Sequence, residues 1–238
     1  MKKNSIINNL PKSYKIVLDK VISLANKIYD KDLVNIMLAG SGGKGYIIEG
    51  WSDLDLYIIS NKYDSKSNTY FLKELHNQNN DIHVGTTFYT YDDFMNLKVD
   101  TKTKVALYEK TKFKKQDYNP FLIKNMKFTP VSYDIVVNSD SYNIRNTIQT
   151  VQRELYKYEN SNNDVNTLFK KVTLLCRQYL NCKHIFTYNY LEVFKAIFIE
   201  LNITDYYDIM NIIKNRDLHK EFISLTHVIL EKILKEDF

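Results

Sequence analysis

A chain of 238 residues, 44% hydrophobic and 26% charged, has material for a substantial core in one or two domains. No apolar run approaches the ~20 residues that a membrane helix needs, and Met1-Lys2-Lys3-Asn4-Ser5 leads into no signal-peptide core, so no membrane partner and a cytoplasmic location are expected. The net charge of +5 suits a phosphate-rich substrate or a nucleic acid without selecting either, and Cys176 and Cys182 are not spaced as a zinc site.

Residues 1–12 are polar up to Pro11 and form a frayed start. From Ser13 to Tyr29, Ile16, Val17, Val21, Ile22, Leu24, Ala25 and Ile28 recur at helical spacing, which predicts an amphipathic helix packed on a sheet. Two apolar runs follow, Val34–Ala39 and Leu54–Ile59, and both read as buried strands. Asn61–Asn68 reads as a polar loop, Tyr70–Asn77 as one or two helical turns, and Asp81–Thr90 as a third strand. Tyr91–Met95 starts a helix with acids in its first turn, although Asp92 and Asp93 face different ways and make poor metal ligands. Lys104–Phe113 reads as a further strand around Val105-Ala106-Leu107-Tyr108, with Lys110, Lys112, Lys114 and Lys115 on a solvated edge.

Pro120 and Pro130 punctuate the chain, and beyond them the pattern is helical to the end. The expected helices are Ser141–Glu159, Asp164–Lys183, Tyr190–Leu201, Tyr206–Lys214 and Leu218–Glu236. Asn160-Ser161-Asn162-Asn163 forms a break before an Asp164 N-cap. The expected domains are therefore 1–130 and 131–238.

Between the first two strands lie Gly40-Ser41-Gly42-Gly43-Lys44-Gly45 and then Asp53 and Asp55. Side chains alternate along a strand, so the two carboxylates share a face and repel unless something positive lies between them. Mg²⁺, which takes one or two carboxylates plus phosphate oxygens, is the simplest occupant. The glycine turn adds backbone N–H groups that can close on a phosphate. A dinucleotide fingerprint needs a helix and crossover for which Gly45 to Asp53 is too short, and a P-loop fails at Tyr46-Ile47. The plain alternative is a hairpin with surface acids.

Ala39, Gly40-Ser41, Lys44-Gly45, Ser52 and Asp53-Leu54-Asp55-Leu56 together resemble the signature of the DNA polymerase β-like nucleotidyltransferase superfamily. An α/β module followed by helices resembles its kanamycin nucleotidyltransferase-like branch. The resemblance implies an α+β fold, a small mixed-sheet nucleotidyltransferase domain followed by an all-helical bundle domain. It also implies a Mg²⁺-dependent nucleotidyltransferase of the two-metal type that moves an NMP, AMP first among them, from an NTP such as ATP to an acceptor hydroxyl. Asp53 and Asp55 would hold metal, Gly40, Ser41 and Ser52 would bind the nucleotide, and Lys44 would neutralise the departing pyrophosphate. A third acid on the third strand completes such sites. Asp81 has the strand parity for that metal-binding role, whereas His83, between Ile82 and Val84, has the flanking pattern and could take the acceptor proton.

The acceptor stays open between a small antibiotic, such as an aminoglycoside or lincosamide, and a tRNA or protein, as does a homodimer. By the same analogy Lys170, Lys171 and Arg177 reach the triphosphate or acceptor. Two other classes remain. Arg177 and His184 resemble the Arg-x4-6-His element of HEPN ribonucleases, and a missing third acid would fit a non-catalytic nucleotide- or RNA-binding module.

Overall fold

In the computed structural model the described residues are 5–78, 81–112, 120–161, 165–187, 189–204, 208–209, 211 and 219–236. They fall into two compact units, Met1–Ser132 and Tyr133–Phe238. The first holds α1 (Ser5–Asn9), α2 (Lys12–Tyr29), a 3₁₀ turn, β1 (Leu33–Ala39), α3 (Gly40–Lys44), β2 (Leu54–Ser60), α4 (Ser65–Asn77), β3 (Val84–Thr90), α5 (Tyr91–Met95) and α6 (Thr101–Lys112).

The sheet is mixed, in the order β1-β2-β3, with β1 antiparallel and β3 parallel to the central β2. Its strands are apolar on both faces because helices cover both. Leu54, Leu56 and Ile58 join Ile36 and Leu38 in a core with Leu18, Val21 and Ala25 of α2 and Phe71 and Leu75 of α4. Alternation then sends Asp55, Tyr57 and Ile59 to the opposite face. There Tyr57 meets the edge of Tyr89 at 5.9 Å, and Phe94 meets Phe121 at 6.3 Å. Phe121 reaches this layer because residues 120–123 run along the outer edge of β1. The Leu38 N–H donates to Pro120 O and the Leu122 N–H to Ile36 O, both at 2.8 Å, which covers an otherwise unpaired strand edge.

Four expected elements differ. The frayed start over residues 1–12 instead holds α1 and the first residue of α2, with Leu10 buried between them. The strand expected from Lys104 is instead α6, with Phe113 outside the described residues: Thr103, Val105, Ala106, Leu107 and Tyr108 are all buried, and a helix enclosed on several sides shows no alternating polar face. The polar loop ends early, because the Asp64 carboxylate accepts the N–H groups of Lys66 (3.0 Å) and Ser67 (3.4 Å) and starts α4 at Ser65. The third strand begins at Val84, so Asp81 and His83 precede it rather than lie on it.

Lys110 also departs from the solvated edge. Its ammonium lies 4.4 Å from the Phe121 ring centroid and 5.6 Å from that of Phe128, and burial lowers its pKa from 10.5 to about 8. The unfolded chain therefore holds the proton more tightly, so stability rises with pH above about 8. The rise is opposed above pH ~10, where the unfolded phenols of Tyr29 and Tyr57 ionise before their buried, upward-shifted counterparts. Denaturant titrations at pH 7 and 9.5 should show the gain in wild type and its loss in Lys110→Met. Lys114 and Lys115 lie outside the described residues.

The second unit holds α7 (Tyr133–Ser161), α8 (Val165–Cys182), α9 (Tyr190–Glu200) and α10 (His219–Leu234). Its first helix begins eight residues before the expected Ser141. Ile144, Ile148, Val151 and Leu155 supply a buried stripe on α7, and Leu168, Val172, Leu175 and Tyr179 supply one on α8. Phe169 joins three helices, stacking on Phe194 at 5.6 Å and tilting against Phe222 at 5.5 Å. Asn181 Nδ2 donates to Asp140 Oδ2 at 2.7 Å while its Oδ1 accepts from Tyr133 at 2.9 Å, so this buried polar cluster is bonded. Asp164 and most of the expected helix Tyr206–Lys214 lie outside the described residues. Among the described residues no helix is long and apolar enough to cross a membrane.

Candidate active site

The site grows from the end of β1. At Gly40 the chain takes φ 58° and enters α3, and it leaves through Gly45 at φ 73°. Both values lie in the left-handed region that glycine adopts without a Cβ penalty. The Gly45 N–H donates to Gly42 O at 3.1 Å and the Tyr46 N–H to Ser41 O at 2.9 Å, which closes the turn. Ser41 is half-buried at its start.

The segment to Asp53 is held by its own bonds. Ser52 Oγ accepts the Ile48 N–H at 2.9 Å, and the Trp51 and Ser52 N–H groups donate back to Ile48 O. Tyr14 of α2 donates its hydroxyl to Ser52 O at 2.7 Å, and Ser13 Oγ donates to Glu49 at 2.7 Å. Ser52 thus fixes the approach of Asp53 to the sheet.

Asp55 sits in a slot made by absent side chains. Ala39 lies opposite it on β1 and Gly85 on β3. A Cβ at Gly40 would overlap Asp55 Oδ2, and one at Gly85 would stand 3.4 Å from Oδ1. Gly40→Ala combines that overlap with a left-handed φ that costs ~1–2 kcal/mol. It should reduce the melting temperature, read by thermal unfolding.

Charge is balanced from α6. Lys102 Nζ lies 2.8 Å from Asp55 Oδ1. Lys44 Nζ lies 2.6 Å from Glu109 Oε1 in a pair whose side chains are 10% and 6% exposed. The cation in the glycine turn is therefore bound to a buried carboxylate, and Lys102 is the cation at Asp55. Sequence reading missed Lys102 and Glu109 because it took most of this segment for a strand. Their separation by seven residues, on one helix face, was the available signal.

His83 Nδ1 lies 4.0 Å from Asp53 Oδ2. Its carbonyl accepts the Leu54 N–H at 2.9 Å, so the parallel pairing of β2 and β3 begins at His83 and sets it beside the acids. Asp81 is exposed two residues earlier. Among the described residues no group of three or more His, Cys, Asp or Glu side chains could hold a metal ion. The pair Asp53 and Asp55 nonetheless fits Mg²⁺, which commonly takes one or two carboxylates and completes its shell with water and substrate phosphate. The missing Cβ atoms of Gly40 and Gly85 leave room for the Asp55 carboxylate itself, and its Oδ1 is occupied by the exposed ammonium of Lys102.

The Arg177–His184 constellation has a different setting. Arg177 is half-buried within α8, whereas His184 is exposed beyond the helix end at φ 58°, its ring edge-on to Tyr133 at 6.1 Å.

No protein-family model matches the chain, and none of the curated proteins matches it. Among solved structures it is similar to spectinomycin adenyltransferase AAD(9) from Enterococcus faecialis, crystallised with ATP and spectinomycin. The identity is 13% and the TM-score 0.59, over 94% of this chain and 91% of that one. At that identity the likeness is one of fold, a small mixed-sheet α+β domain followed by a helical bundle.

Proposed function

We propose that this chain is a Mg²⁺-dependent adenylyltransferase that moves AMP from ATP to a hydroxyl of a small antibiotic of the aminoglycoside kind. The observation that carries the reading is Asp55 flanked by Gly40 and Gly85, with Asp53 two residues before it and His83 Nδ1 4.0 Å from Asp53 Oδ2. The ATP and spectinomycin bound by the fold neighbour support the choice of donor and acceptor.

In this reading the acceptor oxygen attacks the α-phosphorus, the bond to the bridging oxygen breaks, and pyrophosphate leaves with the electron pair. Asp53 and Asp55 would hold Mg²⁺, which supplies charge stabilisation for the attacking and leaving oxygens. Gly40 and Ser41 bind the β- and γ-phosphates through backbone N–H groups and the serine hydroxyl. His83 takes the acceptor proton, the role for which Asp81 stands too early in the chain. Lys44 anchors α3 through Glu109 instead of reaching for pyrophosphate, and Ser52 braces the loop that delivers Asp53.

His83→Ala should lower kcat about 10²-fold, a typical share for a general base. Its side chain is 75% exposed, so the melting temperature should stay unchanged. The whole reading is tested with each α-labelled NTP, Mg²⁺ and a set of aminoglycosides, lincosamides and total tRNA. Label passing from ATP to an aminoglycoside supports it. Label passing to tRNA overturns the acceptor, and absence of NTP binding overturns the reaction.

A further inference from the structure

One face of α6 carries two ion pairs of opposite character. Lys102 meets Asp55 at 2.8 Å with side chains 66% and 28% exposed, whereas Glu109 meets Lys44 at 2.6 Å with both almost enclosed. Seven residues are about two turns, so the two groups stand about 10 Å apart on one side of the helix. The enclosed pair cannot part without each buried charge losing its salt bridge, which holds α6 against α3. The exposed pair can open at small cost, and the four-carbon lysine stem lets Nζ travel while the helix stays in place.

We infer that Lys102 is an exchangeable counter-ion. It neutralises Asp55 in the nucleotide-free protein and passes to the triphosphate oxygens when that carboxylate is given over to a divalent cation. The inference rests on the nucleotidyltransferase reading and adds to it a coupling between metal and nucleotide. An ammonium and a divalent cation compete for the same Asp55 oxygen, so Lys102 opposes metal binding by itself. A triphosphate arriving with the metal offers the displaced ammonium a new anion, so the two ligands bind better together than apart.

The test compares wild type, Lys102→Gln and Lys102→Arg, with Asp55→Asn defining binding that depends on the site. Mn²⁺ affinity is measured by electron paramagnetic resonance without nucleotide, and ATP affinity by calorimetry with Mg²⁺ present. Lys102→Gln should bind Mn²⁺ about two- to fivefold more tightly, the equivalent of an exposed ion pair. It should bind ATP about tenfold more weakly, the loss of one charge-assisted contact, and Lys102→Arg should restore much of the ATP affinity. General damage to the fold would weaken both ligands, so the opposed signs are diagnostic. If Lys102→Gln leaves either affinity unchanged, or weakens Mn²⁺ binding, the counter-ion role is overturned, while Asp55-dependent binding by wild type keeps the nucleotidyltransferase reading. Wild type that binds neither ligand overturns both.

Discussion

Asp55→Asn should, on the proposed function, lower kcat/KM about 10³-fold or more, because the variant would lose a charged metal ligand whose electrostatic stabilisation is worth several kcal/mol in the transition state. The fold should hardly change. Amide and carboxylate have nearly the same shape, so the slot between Gly40 and Gly85 stays filled. The partner left behind, Lys102, is 66% exposed and returns to water. Asp53→Asn should behave alike. Steady-state kinetics beside thermal unfolding separate the two effects. Full turnover by either variant would remove the carboxylates from the chemistry and return the acids to the status of turn residues.

Glu109→Ala should have the opposite balance, with the larger effect on stability. The Lys44–Glu109 pair is nearly enclosed, and removing one member takes this salt bridge from the other's buried charge, at a cost of about 3–5 kcal/mol. The loss should be shared by the double variant Lys44→Met, Glu109→Met only in part, since two apolar side chains of similar length leave no charge unpaired. Denaturant unfolding of the single and double variants reads this difference directly. Because Lys44 belongs to α3, the single variant should, on the proposed function, also weaken nucleotide binding through the position of Gly40 and Ser41.

The central strands were legible in the sequence because short apolar runs bounded by turn residues leave few alternatives. The spacing of two that put Asp53 and Asp55 on one face assumed a strand under both, whereas β2 begins at Leu54 and carries only Asp55. Helix α6 was not legible, since burial on several sides gave Val105–Tyr108 the appearance of a strand. With it went Lys102, which meets Asp55 across 47 residues of sequence, a distance over which local pattern carries no information. The start of β3 was misplaced for a related reason. Ile82 continues the apolar pattern backward, while the ladder starts only where the Leu54 N–H finds His83 O. The early start of α4 was visible in principle, as Asp64 is a good capping residue, but the polar residues after it concealed the helix.

The parallel pairing of β2 and β3 also bears on how the molecule is assembled. β1 and β2 are antiparallel neighbours joined by a single connection, and their ladder closes over a modest stretch of chain. β3 can align with β2 only after the chain has crossed over through α4 and returned, a closure whose entropy is lost before any contact rewards it. Asp53 and Asp55 therefore belong to the part of the sheet that is able to form early, and His83 to the part that docks afterwards. A chain halted between those two events would already display its acids, but without the histidine beside them.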